Sequence, residues 1–277
     1  MATQDPAQIR ETVREHYAAA ARGASCCGSP DESKLYNLEL PTESTDGKKK
    51  YCVVVKSEMP SDLLLYPAEL LTEVPEEVTN FSLGCGDPIT LAKIQPGETV
   101  LDLGSGGGLD CFLAARKVGK EGQVIGVDMT PEMLMRARTG ADRMGYTNVD
   151  FRQGYLEDLP VNSDSVDVVI SNCVINLSPD KPQVFREIYR VLKPGGRVAV
   201  SDIVTIGELP DSLKNDMIAW GACVAGALDV ADYTQGLKAA GFTGIKVQPK
   251  DEKQEPMDVS KVKISIFSAT ITAVKPV

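Results

Sequence analysis

The chain has 277 residues, of which 43% are hydrophobic and 25% are charged, as in a globular protein with a sizeable core. Its formal net charge of -10 argues against a nucleic-acid partner, because binding phosphates requires a surplus of Lys and Arg. No apolar run approaches the roughly 20 residues that span a bilayer, and residues 1–14 do not have the pattern of a signal peptide. We therefore expect a cytoplasmic monomer that binds neither nucleic acid nor membrane.

The first 75 residues are expected to form an extension that begins with a helix. Asp5 suits the N-cap position and Pro6 the first helical position. Residues 21–50 are rich in Gly, Ser, Pro and Lys and predict a loop, and residues 51–56 predict a short strand. The apolar stripe of the predicted helix consists of Ile9, Val13, Tyr17 and Ala20.

The rest of the chain, residues 76–277, is expected to form one domain in which short apolar strands alternate with helices. Such alternation predicts a mostly parallel sheet covered on both faces. Two later segments alternate with period two and predict a terminal antiparallel pair, so the expected fold is α/β and Rossmann-like, with seven strands. The predicted strands are 100–103, 123–127, 149–152, 166–171, 197–204, 244–248 and 263–274, and the predicted helices are 111–118, 131–144, 181–192 and 211–224.

The first of these strands ends in a glycine-rich loop, residues 102–108, with the sequence DLGSGGG. Glycines permit a sharp turn and close approach of a ligand to the backbone, but this spacing also fits a dinucleotide site or a purely structural turn. Asp102 would repel a pyrophosphate, whereas it suits a ligand that carries an ammonium and a sulfonium. Asp128 ends the next strand, where a carboxylate can accept hydrogen bonds from ribose hydroxyls or simply cap a helix. The combination resembles class I S-adenosylmethionine-dependent methyltransferases, and the loop residues expected to contact the cofactor are Gly104, Ser105 and Gly106.

The seven cysteines cannot all pair in disulfides, and the chain has a single histidine, His16, which excludes a His-rich metal site. Taken singly, a cysteine in a reducing compartment is most often a small core residue. We interpret Cys111, in an apolar helix, in this way, and we leave Cys52 unassigned. Cys173 follows the fourth strand directly, where open α/β sheets bind their ligands.

Four sequence motifs together resemble the arsenite S-adenosylmethionine methyltransferases: VPEEV at 74–78, SLGCG at 82–86, SNCVINL at 171–177 and CVAGA at 223–227. The resemblance implies that three cysteines bind trivalent arsenic: Cys85, Cys173 and Cys223. It relates Cys26 and Cys27 to the region of a fourth family cysteine without deciding between them. It also implies a substrate-side segment at about 205–240, and cofactor contacts from Tyr17, Met129, Leu156, Glu157 and Asn172.

The implied chemistry agrees with these residue types, because trivalent arsenic is soft and prefers thiolates. The arsenic lone pair can attack the methyl group of the cofactor with no general base, and a thiol reductant, glutathione or thioredoxin, would keep the cysteines reduced. Arsenite can accept three thiolates, but methylarsenite can accept only two. We expect Cys173 and Cys223 to be the retained pair, because Cys85 lies on a loop flanked by Gly and Pro, where movement is easier.

Two other functions remain open at this point. The chain could methylate a small organic acceptor such as a quinone or sterol, in which case the cysteines are core residues. It could instead be a non-enzymatic arsenic-binding or thiol-redox protein that keeps the Rossmann frame as a scaffold. Asp102, Asp128 and the glycine loop argue against the scaffold, since a scaffold needs no cofactor site.

Overall fold

The structure is a computed structural model, and it describes residues 5–22, 66–71, 74, 76–79, 84–221, 223–250 and 264–277. The strand predicted at 51–56, most of the loop predicted at 21–50, and Cys26, Cys27 and Cys52 lie outside the described residues.

An eight-stranded sheet forms the centre of the molecule, in the order β3-β2-β1-β4-β5-β8-β7, with the two-residue β6 paired to β5. Neighbouring strands from β3 to β5 run parallel, whereas β8 is antiparallel to both β5 and β7. The expected Rossmann-like sheet with an antiparallel terminal pair is therefore confirmed, with β6 as an addition. The strands are β1 (Thr99–Leu103), β2 (Gln123–Asp128), β3 (Val149–Gln153), β4 (Val166–Asn172), β5 (Leu192–Ile206), β6 (Leu228–Asp229), β7 (Thr243–Pro249) and β8 (Ser265–Val274).

The N-terminal helix begins as predicted, because the Asp5 carboxylate accepts a hydrogen bond from the Ala7 amide at 3.0 Å and Pro6 follows it. The helices are α1 (Pro6–Ala21), α2 (Ala68–Leu71), α3 (Glu76–Thr79), α4 (Pro88–Ala92), α5 (Leu109–Val118), α6 (Pro131–Met144), α7 (Lys181–Val191), α8 (Asp211–Lys214), α9 (Met217–Gly221) and α10 (Val230–Ala239). Among the described residues, none of the helices has the length and apolar character needed to cross a membrane.

The prediction of one continuous helix over residues 211–224 is wrong. The chain forms two short helices there, and Asn215 lies between them. The indole nitrogen of Trp220 donates to the carbonyl oxygen of Lys214 at 3.1 Å, so a side chain takes a carbonyl that a continuous helix would pair along its own backbone. Cys223 lies beyond the end of α9, and its φ of 61° gives it no place in a helical stripe.

The hydrophobic core lies on both faces of the sheet because successive strand residues point to opposite sides. Leu101 and Leu103 pack with α7 and α10, while Val100 packs with α5 on the other face. A smaller apolar cluster lies at the carboxyl ends of the strands, where α1 and α9 cover them. Ligands of open α/β sheets bind at this end of the sheet.

Candidate active site

A cleft of about 1060 Å³, including the space open to solvent, lies at the carboxyl ends of β1, β2 and β4. It contains every residue of the predicted cofactor site except Asp102. The predicted residues in its wall are Tyr17, Gly104, Ser105, Gly106, Asp128, Met129, Leu156, Glu157 and Asn172, and Cys173 lies there too.

The glycine loop is fixed to the end of β2 by the Asp128 side chain. Its carboxylate accepts hydrogen bonds from the amide of Gly106 at 3.0 Å and from that of Thr130 at 2.8 Å. Burial raises the pKa of Asp128, and these two backbone donors oppose that rise. Gly104 has a φ of 67°, and a Cβ there would come within 2.3 Å of Val174, so only glycine fits. The loop thereby places its glycines and the start of α5 in the wall of the cleft.

The cleft acid next to this loop is Asp110, whereas Asp102 was the residue expected there. Asp102 is buried beneath the loop and accepts a hydrogen bond from the Cys111 thiol at 3.3 Å. Burial, with the nearby charge of Asp110, raises the pKa of Asp102 well above its usual value. Asp110 is the second residue of α5 and lies in the cleft wall. The position of Asp102 at the end of β1 places it near the cleft, but its side chain is not part of the cleft wall.

Helix α1 closes one side of the cleft through Arg10, Val13 and Tyr17. The Arg10 guanidinium donates to the carboxylate of Glu157 at 3.2 Å and lies 5.8 Å from the ring centre of Tyr155. Glu157 also accepts a hydrogen bond from Ser178, at 2.7 Å. This residue, which was predicted to contact the cofactor, therefore also holds the N-terminal helix in place through Arg10.

The three cysteines of the resemblance come together beside this cleft. Cys85 and Cys173 are joined by a disulfide with their Cα atoms 5.8 Å apart. The Cys223 thiol donates to the carbonyl oxygen of Cys173 at 2.9 Å. All three belong to the apolar cluster that α1 and α9 cover, and Tyr17 places its hydroxyl 3.9 Å from the Cys223 sulfur. The sequence did not indicate the disulfide.

The backbone at two of these cysteines is strained. Cys173 has a φ of 60° and Cys223 a φ of 61°, values that residues with a Cβ seldom adopt. Such conformations cost on the order of 1–3 kcal/mol each and cluster at functional sites. Burial, followed by the charge of Asp202, raises the pKa of the Cys223 thiol to about 12, so the thiol is protonated at neutral pH.

Cys85 lies outside the helices and strands, as its flanking Gly and Pro predict, and it has several hydrogen-bond partners. Its amide donates to the Asn172 side chain at 2.8 Å, and its carbonyl oxygen accepts from Ser268 at 3.2 Å and from Lys250 at 3.3 Å. Cys85 is therefore fixed from two sides by residues 87 to 183 positions away in sequence. Local composition, with flanking Gly and Pro, could not reveal such long-range partners.

Cys111 is a core residue as predicted: it is fully buried on α5, and burial raises the pKa of its thiol well above the usual value. Sequence reasoning missed Asp110, Arg10 and Tyr66, which bonds to Asp110. Only Asp110, at the start of a helix that follows a glycine loop, had a local feature that could have indicated its place.

Comparison with known proteins agrees with this geometry. Residues 94–241 match the family described as a methyltransferase domain. The arsenite methyltransferase of Halobacterium salinarum is 45% identical, over 100% of this chain and 69% of the relative. That of Aquipseudomonas alcaligenes is 42% identical, over 81% of this chain and 64% of the relative.

A solved structure gives the same result. The crystal structure of CrArsM, an arsenic(III) S-adenosylmethionine methyltransferase from Chlamydomonas reinhardtii, aligns with a TM-score of 0.66 at 39% identity. The alignment covers 76% of this chain and 73% of CrArsM. The two proteins are therefore similar in amino-acid sequence as well as in fold.

Proposed function

Because this chain belongs to the arsenite methyltransferase family, we propose that it transfers methyl groups from S-adenosylmethionine to trivalent arsenic bound by Cys85, Cys173 and Cys223. One observation carries the proposal: three cysteines from distant parts of the chain converge next to the glycine-loop cleft. A methyltransferase for a small organic acceptor has no need of thiols there, nor of strained backbone to place two of them.

The residues of the cleft fit S-adenosylmethionine. Its described wall carries three carboxylates, those of Asp110, Asp128 and Glu157, and one guanidinium, that of Arg10, which is paired with Glu157. This charge balance suits a ligand with an ammonium and a sulfonium. The buried hydroxyl of Ser105 has no hydrogen-bond partner among the described residues, which leaves it available to a ligand.

In this reaction the residues of the chain bind the two substrates and orient them. S-Adenosylmethionine supplies an electrophilic methyl group that the lone pair of a thiolate-bound arsenic can attack. Asp128 is placed to accept from ribose hydroxyls, and the glycine loop lets the ligand approach the backbone closely. Helix α1 and Trp220 keep the cysteine cluster apolar and exclude water. Catalysis then rests mainly on proximity and alignment of the two substrates.

Arsenic binding needs no general base. When arsenious acid exchanges a hydroxyl for a cysteine sulfur, the thiol proton leaves with that hydroxyl as water, so a protonated Cys223 is a competent ligand. Cys85 and Cys173 must first be reduced. Two molecules of thiol, such as glutathione, or one dithiol, such as thioredoxin, supply the two electrons and two protons and become a disulfide.

The same proposal assigns residues 1–75 to an extension that completes the site, since Arg10, Val13 and Tyr17 line the cleft. It assigns about 205–240 to the substrate side, because Trp220 and Cys223 lie in the cysteine cluster. The proposed role is arsenic detoxification in the cytoplasm, where reducing thiols are abundant.

The test is an assay of the purified protein with arsenite, S-adenosylmethionine and glutathione, followed by separation of the arsenic species. Methylated arsenicals should form only with the thiol present. Cys111→Ser is the matched control, because this buried cysteine lies outside the cysteine cluster, and it should keep arsenic binding. No methylated arsenic despite calorimetric binding of S-adenosylmethionine would favour an organic acceptor. Absence of such binding would favour a scaffold.

A further inference from the structure

A buried chain of hydrogen bonds connects the cleft with the backbone of Cys85. The Tyr66 hydroxyl donates to the Asp110 carboxylate at 2.8 Å, and the Asn172 side-chain NH2 donates to the Tyr66 oxygen at 2.9 Å. The side-chain oxygen of Asn172 accepts from the amide of Cys85 at 2.8 Å and from that of Gly86 at 3.1 Å. The path Asp110–Tyr66–Asn172–Cys85 is therefore continuous.

The packing leaves this path little freedom. Tyr66 is only 3% exposed and Asp110 only 9%. The Asn172 amide lies so close to the backbone of Gly84 that a Cβ there would come within 2.3 Å of its nitrogen. Asn172 also donates to the Gly86 carbonyl oxygen at 2.9 Å and, directly, to the Asp110 carboxylate at 3.3 Å, which is the longest bond of the network. A shift of the Asn172 side chain must therefore move residues 84–86, the Cys85 loop.

The residues of the path differ in their exposure to the cleft. Asp110 and Asn172 lie in its wall, while Tyr66 lies behind it with no surface in the wall, so Tyr66 touches neither of the two proposed substrates. Its hydroxyl is a donor at one end and an acceptor at the other. Replacing Tyr66 by Phe would remove the shorter link between Asp110 and Asn172 and leave only their direct hydrogen bond of 3.3 Å, at little change in volume.

We propose that Tyr66 is a positioning residue that transmits the occupancy of the methyl-donor cleft to the backbone of the arsenic ligand Cys85. The inference rests on the proposed function of the cleft and of Cys85. A ligand that orders the Asp110 carboxylate thereby orders Tyr66, then the Asn172 amide, then the two amides that bond to it. By linkage, an ordered Cys85 loop favours the methyl donor by the same factor.

Amide hydrogen exchange measures this coupling directly, since the amides of Cys85 and Gly86 are its last donors. The reduced, arsenic-free full-length protein is compared with and without saturating S-adenosylmethionine, with residue-level detection. Exchange at these two amides should slow on the order of fivefold, the lower end of typical coupling. In Tyr66→Phe the slowing should vanish.

The matched control is Tyr233→Phe. Tyr233 is also buried, but its hydroxyl has no hydrogen-bond partner among the described residues, so this variant should keep the wild-type slowing. Slowing that persists in Tyr66→Phe would overturn the inference. So would loss of cofactor binding in Tyr66→Phe, which would make Tyr66 part of the binding site. Failure of the wild type to bind S-adenosylmethionine would instead overturn the proposed function.

Discussion

The methyl-donor cleft and the cysteine cluster lie side by side but are built in different ways. Six residues of the cleft wall come from one continuous stretch, residues 104–110, and three of these are glycines, which offer only backbone. The cluster takes side chains from α1, from the Cys85 loop, from the residues that follow β4, and from α9 and the segment after it. A site made of backbone is specified by local sequence, whereas a site made of scattered side chains depends on the whole fold.

The same backbone conformation has a different cost in the two regions. In the cleft, Gly104 and Gly106 adopt positive φ, which glycine does readily. In the cluster, Cys173 and Cys223 adopt it although they have a Cβ. Glycine would relieve that strain but would remove the sulfur. Cysteine at these two positions therefore indicates that the thiol is required there.

The largest effect should come from replacing a strained cysteine. Cys173→Ser and Cys223→Ser should each lower arsenite methylation more than about 100-fold, because loss even of an outer contact of a metal site costs 10–100-fold. The hard, protonated hydroxyl is a poor ligand for arsenic. Initial rates of methylated arsenic formation measure the effect, and cofactor affinity should stay as in the wild type. A wild-type rate in either variant would contradict the arsenic site.

The next effect concerns the cleft alone. Asp128→Ala should weaken S-adenosylmethionine binding by about 2–3 kcal/mol, because charge-assisted hydrogen bonds to the ribose are lost. The variant also frees the Gly106 and Thr130 amides that the carboxylate holds. Calorimetry should show arsenic binding to be largely unchanged. Asp150→Ala, which removes a surface partner of Arg152, is the control and should leave cofactor affinity unaltered.

The effect expected at Cys85 is limited to one of the two arsenic substrates. Cys85→Ser should lose methylation of arsenite and keep that of methylarsenite within about tenfold of the wild type, which corresponds to 1.4 kcal/mol. The reason is that methylarsenite has room for only two thiolates. Both substrates are assayed with the same preparation under reducing conditions. Equal losses would show that all three thiols act throughout or that Cys85 is structural.

The smallest effect should follow from loosening α1, which touches both regions. Arg10→Gln removes the ion pair with Glu157. Because Arg10 is about one-third exposed, the free energy that holds α1 in place should fall by only about 0.2–1 kcal/mol. The Michaelis constants for cofactor and for arsenite should rise together, a few-fold at most. Arg14→Gln is the control, since Arg14 pairs with Glu11 within the same helix. A rise for one substrate alone would mean that α1 serves a single region.

The difference between the regions also decides what the sequence could predict. The strands from β1 to β4 and helix α6 were predicted to within a residue, because apolar runs between Gly and Pro specify them locally. Asp102 was misplaced because the sequence does not say which face of a strand end meets a ligand. The helix over 211–224 failed because Trp220 takes the Lys214 carbonyl, which is a contact of the folded chain. The disulfide and the partners of Cys85 depend on contacts between distant segments, and resemblance alone indicated that the cysteines belong together.

Strand β8 lies between β5 and β7, although both are made before it. While the chain is being synthesised, the edge of β5 from Arg197 to Ile206 has no partner until β8 leaves the ribosome. β8 also carries Ser268, which holds the Cys85 carbonyl. A nascent chain can therefore build its glycine loop early, but it acquires a fixed Cys85 only after β8 has been made. The order of synthesis thus completes the cysteine cluster only after the strands and the glycine loop of the methyl-donor cleft have been made.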